Sequence, residues 1–120
     1  MQKLQFEAAW DKTLSDMDRK LISQIFNNQM VKSDIVSCDL IRSARNHHNH
    51  LLVTVLIHNA TAIEQMFIER DVSLQMKHGR YTQQFTQPKL VIPSYTSMPW
   101  TFIFTYVAQN TSDVLTIIIQ

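Results

Sequence analysis

The sequence predicts a mainly β fold, an immunoglobulin-like antiparallel β-sandwich of about seven strands preceded by one α-helix. Three observations carry this. Apolar residues recur every three or four positions from Leu14 to Phe26, then shift to a period of two from Asp34 onward. Turn-forming clusters return at short, regular intervals through the rest of the chain. No strand–helix alternation follows the first helix, so a parallel sheet with crossover helices is not expected. Residues 1–33 read as an N-terminal segment holding the helix at about 15–27, and 34–120 as the sandwich, together one domain.

The lead-in carries Phe6, Trp10 and Leu14. Ser15 has the form of a helix N-cap: its hydroxyl is placed to accept the Asp18 amide, and Asp16 and Asp18 sit where the helix dipole favours acids. Leu14, Met17, Leu21 and Ile25 form the apolar stripe, widened by Ile22 and Phe26, and Asn27 and Asn28 end it. A helix of about 12 residues is marginal alone in water, so this stripe is expected to dock on the β portion.

Val36, Cys38 and Leu40 alternate with Ser37, Asp39 and Ile41, as in a half-buried strand. Residues 46–49 make a polar turn without Gly. Residues 51–57 are almost wholly apolar, as in a central strand covered on both faces, and His58, Asn59, Ala60 and Thr61 are expected to break it. In the next strand Ile68, Val72, Leu74 and Met76 share one face, with Glu69, Asp71, Ser73 and Gln75 on the other. Residues 77–80 form a hairpin turn containing Gly79, at the position expected to need a positive φ. A shorter strand follows over 81–85. Pro88 and Pro93 bracket a brief edge segment over 90–92, since proline cannot donate to a central ladder. Strands over 100–107 and Val114–Ile119 complete the set, joined by a turn over 109–113.

The chain has 120 residues, 45% of them hydrophobic, enough to bury a core without metal or disulfide support. The net charge is +1 and the basic residues are scattered, so neither nucleic acid nor membrane insertion is expected. One cysteine, Cys38, cannot form an internal disulfide, which fits a reducing compartment. The first residues contain no apolar core of signal-peptide length, and no run is long enough to span a bilayer. A cytoplasmic location is expected.

Little in the chain has the pattern of chemistry. His47, His48 and His50 are the candidate metal ligands, and they support an alternative reading as a small metal- or ligand-binding module using that turn. Their local spacing supplies no second ligand pair, so a solvated turn is the simpler reading. A Gly-rich phosphate loop needs more than one Gly. Glu69 and Asp71 share a face expected to be wet, where carboxylates solubilise. Cys38 falls on the apolar face of its strand, as inert buried cysteines do. Trp100, Phe102 and Phe104 share one strand face opposite Ile103, and Trp100 is expected to be locked in the core.

Several stretches together resemble one known family. They are Trp10, Leu14-Ser15, Ile25-Phe26, the strand LLVTVLIHNAT, the strand and turn VSLQMKHGR, Phe85, and above all IPSYTSMPWTFIF, with Ile92-Pro93 followed by Pro99-Trp100, Phe102 and Phe104. On these residues the chain resembles the SLAP domain of Gram-positive bacteria, associated with accessory Sec system S-layer assembly proteins. The resemblance implies a non-enzymatic β-sandwich used in surface-protein export or assembly, with no catalytic residues and no cofactor. The expected partner is a protein, such as a secretion or envelope-assembly factor. Two surfaces are candidates for it. One is the loop of Ser94, Tyr95, Thr96, Ser97 and Met98. The other is the C-terminal strand with Leu115, Ile117 and Ile119, which is uncharged and free of proline. Burial of that strand between neighbours is the default; as an open edge it would pair with a partner strand or form a homodimer.

Overall fold

Ser15 starts the main helix as the sequence requires: its hydroxyl accepts the Asp18 amide at 3.1 Å. The computed structural model describes residues 2–28, 31–77, 79–107 and 114–120. Within them the elements run β1 (Lys3–Leu4), α1 (Ala8–Thr13), α2 (Asp16–Asn28), β2 (Val36–Arg45), β3 (Leu51–Asn59), β4 (Gln65–Met76), β5 (Gly79–Ile92), β6 (Thr96–Phe104) and β7 (Val114–Ile119). Two sheets form, one in the order β1-β6-β3-β2 and one in the order β5-β4-β7. The fold is mainly β, with every strand pair antiparallel except β1 with β6. The connectivity differs from the immunoglobulin layout, which places strands A, B, E and D on one sheet and C, F and G on the other. Here β2–β3 and β4–β5 are local hairpins, and β6 returns to lie between β1 and β3.

The core lies between the sheets. Val53 and Val55 of β3, Phe102 and Phe104 of β6, Leu74 of β4 and Leu90 of β5 are almost wholly removed from water. Phe85 bridges the layers, 4.9 Å from the Phe102 ring and 5.0 Å from Phe104 between centroids. Such tilted and edge-on contacts add to the burial of each ring. Strand β3 is covered on both faces as expected, since Leu56 and His58 are buried on the side away from this core. It also continues through His58 and Asn59 instead of breaking there. Asn59 is tolerated because its amide nitrogen reaches the Ile63, Ile92 and Pro93 carbonyls at 2.9–3.0 Å and its side-chain oxygen accepts from Thr61. A buried amide with these partners closes a corner of the sandwich.

Five other expectations need correction. Helix α1 was not expected. It is short, and its cap is Glu7, whose carboxylate accepts from the Ala9 and Trp10 amides. Helix α2 buries only Ile22 of its stripe; Met17 is 83% exposed, because the helix meets the sheet along a narrow row against β2. In β4, Ile68 lies outside and Phe67 inside: the pairing with β5 slips between Phe67 and Arg70, Glu69 takes φ 49, and the phase resets so that Val72, Leu74 and Met76 face the core. The two short strands expected over 81–85 and 90–92 are one strand, β5, which tolerates Pro88 because it is an edge. Gly79 has no positive φ. A Cβ there would meet the Tyr81 ring at 3.4–3.5 Å, an ordinary contact. His78 in that turn, and the turn expected over 109–113, lie outside the described residues.

Trp100 stands on the core face with Phe102 and Phe104, opposite Val55, but it is half-buried rather than locked inside. It lies on the strand next to the short β1, so its outer flank is closed by Trp10 of α1, with ring centroids 6.4 Å apart.

Candidate functional site

A sandwich has strand edges, and each exposes unpaired backbone groups unless it is guarded. Strand β5 carries Pro88 and exposed Arg80 and Lys89, and its ladder is interrupted by two register shifts. Strand β2 is kinked between Leu40 and Arg42. Arg42 ties it to α2 by an ion pair with Asp18 at 2.8 Å, and this contact holds the Asp18 carboxyl below its usual range. Strand β6 is guarded at both ends. Lys3 and Gln5 donate to the Tyr95 and Ser97 carbonyls at 2.9 Å. At the far end Gln83 reaches across from β5, donating to the Ile103 carbonyl and accepting from the Thr105 amide.

Strand β7 is guarded differently: it pairs with β4 on one side, and β2 packs against the other. It ended as an edge, not between neighbours. Its residues Val114–Ile119 include no charge and no proline. Leu115, 62% exposed, is the extra residue where the register with β4 shifts, and Ile118 is 46% exposed on the outer face. Ile117 and Ile119 point their side chains into the core, so they offer only backbone at the edge. A groove of about 240 Å³ runs beside them, lined also by Ile35, Val36 and Cys38. Burial pushes the Cys38 thiol up to about 12, with the Asp39 charge adding to it. The thiol stays protonated and lies 3.5 Å from the Ile117 carbonyl, a weak donor from β2 to the outer side of β7.

The other expected interaction surface is smaller than its sequence suggested. Ser94 and Tyr95 are exposed, Tyr95 with φ 50, but Thr96, Ser97 and Met98 are buried within β6. Ile92 is in the core, Pro93 is half-buried, and Pro99 is buried within β6, opposite Leu56. In the histidine turn, His47 and His48 lie 3.9 Å apart between ring centroids, and His48 and His50 5.9 Å. The Asn46 side chain accepts from the His48 and His50 amides, and Asn49 takes φ 60, so the turn is held by asparagine chemistry. Among the described residues no group of three or more His, Cys, Asp or Glu side chains is arranged to hold a metal ion.

One constellation was missed. His58 bonds through Nε2 to Asp39 at 2.9 Å and through Nδ1 to the Ser97 hydroxyl at 2.7 Å. A carboxylate only accepts, so Nε2 carries the proton and Nδ1 accepts from Ser97. Burial lowers the His58 pKa, opposed by the Asp39 hydrogen bond and charge, which keeps the ring neutral near pH 7. The order is that of a serine nucleophile with its base, yet Ser97 is fully buried and its oxygen also accepts from Gln2 at 3.2 Å. The trio acts as a clamp tying β2, β3 and β6 to the N-terminal segment, where Gln2 also donates to the Asn59 carbonyl. Its sequence signal was His58 in phase with buried Leu56, and it becomes legible only when β6 is known to bring Ser97 opposite.

No described helix is long and apolar enough to cross a membrane. Neither the curated proteins nor the solved structures include a match to this chain. A family model does match: the SLAP domain, over residues 4–116. With nearly its whole length covered, the chain belongs to the SLAP domain family.

Proposed function

We propose that this SLAP domain is a non-catalytic protein-interaction module in bacterial surface-protein (S-layer) export or assembly, and that it engages its partner by strand pairing at β7. The observation that carries this is the β7 edge: the strand is neutral and proline-free, a weak thiol contact from β2 is the hydrogen bond shown on its outer side, and a groove lies beside it. An added strand would satisfy the open backbone groups and cover Ile118. The family match supports the export or assembly setting. The expected partner is a secretion or envelope-assembly protein met in the cytoplasm.

The test is capture from a Gram-positive extract with the wild-type chain, an Ile118→Lys variant and an Ile103→Lys control on β6. Both side chains are exposed. A cation on an edge strand opposes pairing. The wild type and the control should retain a secretion or envelope protein that Ile118→Lys releases. Equal retention by all three would rule out β7 as the site.

A further inference from the structure

We infer that His58 and Ser97 form a proton-sensitive latch on the N-terminal segment: uptake of a proton at His58 reverses its bond with Ser97 and frees residues 2–5 from the edge of β6. Nothing in this latch depends on the partner proposed for β7.

Few bonds hold the segment. Strand β1 has two residues, and the Lys3 and Gln5 amides donate to the Tyr95 and Ser97 carbonyls of the β6 edge at 2.9 Å each. The third hold is the Gln2 side chain. Its Nε2 donates to the Asn59 carbonyl at 3.1 Å and to the Ser97 hydroxyl at 3.2 Å. Helix α1, which follows, is anchored separately: Arg19 of α2 bonds the Asp11 side chain and the Asp11 carbonyl. Residues 2–5 can therefore part from β6 while α1 stays in place.

The direction of each hydrogen bond supplies the coupling. In the neutral ring Nε2–H points to Asp39, so Nδ1 accepts the one proton of the Ser97 hydroxyl. A lone pair of the serine oxygen is left for Gln2. In the protonated ring both nitrogens donate. Nδ1–H then takes the serine oxygen, and the hydroxyl proton must turn away from it. The other partner of that oxygen, Gln2 Nε2, is itself a donor and cannot receive the proton. If the Gln2 carboxamide turns over, its oxygen accepts from Ser97 but opposes the Asn59 carbonyl, and that bond is lost. If it does not turn, the serine proton lies buried without an acceptor, which is unfavourable until water enters. Both outcomes loosen the segment at Gln2.

The surrounding charges leave this coupling unmasked. Among the described residues Asp39 of β2 is the charged group that faces the ring. Strand β6 presents neutral Ser97, and the N-terminal segment presents neutral Gln2. Helix α2 approaches Asp39 with Leu21, Gln24, Ile25 and Asn28, none of them charged. His47, His48 and His50 sit at the opposite end of β3, on the turn before Leu51. Burial disfavours the charged ring, so the latch is closed near pH 7 and opens as pH falls below the ordinary histidine value of 6.5.

Hydrogen exchange of the full chain between pH 7.5 and pH 5 tests this, expressed as protection relative to an unstructured chain at each pH, with the His58 ring followed by NMR. Protection of the Lys3 and Gln5 amides should fall by roughly five- to tenfold as the ring titrates, about what one lost hydrogen bond is worth. The Val55 amide, in the central strand β3, should stay protected. His58→Gln, which takes up no proton in this range, should keep the Lys3 and Gln5 protection constant. Gln2→Ala removes the latch at a half-buried side chain and leaves His58 in place, so it serves if His58→Gln folds poorly. Its Lys3 and Gln5 protection should be low at both pH values and blind to the titration. Wild-type protection that stays constant while the ring titrates, or a ring that does not titrate before the fold is lost, overturns the inference. So does a pH response that survives in His58→Gln or in Gln2→Ala.

Discussion

The Gln83 carboxamide stands beside Ile103 as a neighbouring strand would. It donates to the Ile103 carbonyl at 3.1 Å and accepts from the Thr105 amide at 3.0 Å. A side chain from one sheet thus closes the open edge of the other. Removing it by Gln83→Ala should cost about 0.5–1.5 kcal/mol for the lost bonds. Denaturant unfolding gives the magnitude, and faster hydrogen exchange at the Thr105 amide gives the cause. Unchanged exchange at Thr105 would mean the contact does not persist in solution.

Phe102 is the centre of the aromatic core, with Phe67 at 5.8 Å and Phe85 at 4.9 Å. Phe102→Ala should destabilise by about 3–5 kcal/mol, a large part of the stability of a small domain. Trp100→Ala should cost less, because that ring is half-buried and its loss leaves a surface dent instead of a closed cavity. Equal losses in the two variants would show that Trp100 is as enclosed as Phe102.

Trp10 should report on the edge it covers. In Trp10→Ala the Trp100 indole loses its stacked neighbour and gains water, so its fluorescence emission should move to longer wavelength while the core stays intact. An unmoved emission maximum would mean that α1 does not hold Trp10 against it.

His58 makes stability depend on pH, and the sign follows from its burial. Its pKa in the folded chain is lowered below the ordinary value of 6.5. As pH falls through about 6.5 the unfolded chain takes up a proton that the native ring resists. The contribution is therefore full above that value and is lost as pH falls toward the folded pKa. Urea midpoints at pH 7.5 and pH 5 should drop more for the wild type than for His58→Gln, which can still bond Asp39 and Ser97. A larger drop in the variant would reverse the assignment.

What the sequence revealed was local. The Ser15 cap, the paired strands around residues 46–49 and the inward row Val72, Leu74 and Met76 depend on neighbours within a few residues, and periodicity captures such contacts. What it concealed was set by distant pairing. Nothing near Val114 says that β7 pairs with β4 alone and meets β2 of the other sheet on its outer side, and nothing near Ser97 says that β3 brings His58 to its hydroxyl. Thr96, Ser97 and Met98 looked like loop because two prolines bracket them, whereas β1 and β3 on either side draw them into the sheet. Ile68 was misplaced because the slip at Glu69 shifts the alternation, and no residue type there announces it. Helix α1 is too short for a periodic signal and lacks a preferred cap.

Residue-resolved hydrogen exchange of β7 tests the proposed docking edge most directly. In dilute, monomeric protein the Thr116 and Ile118 amides, which face β4, should be protected, while those of Ile117 and Ile119 exchange much faster. Protection of all four to the same degree in the isolated monomer would mean that this edge is already occupied and has nothing to offer a partner.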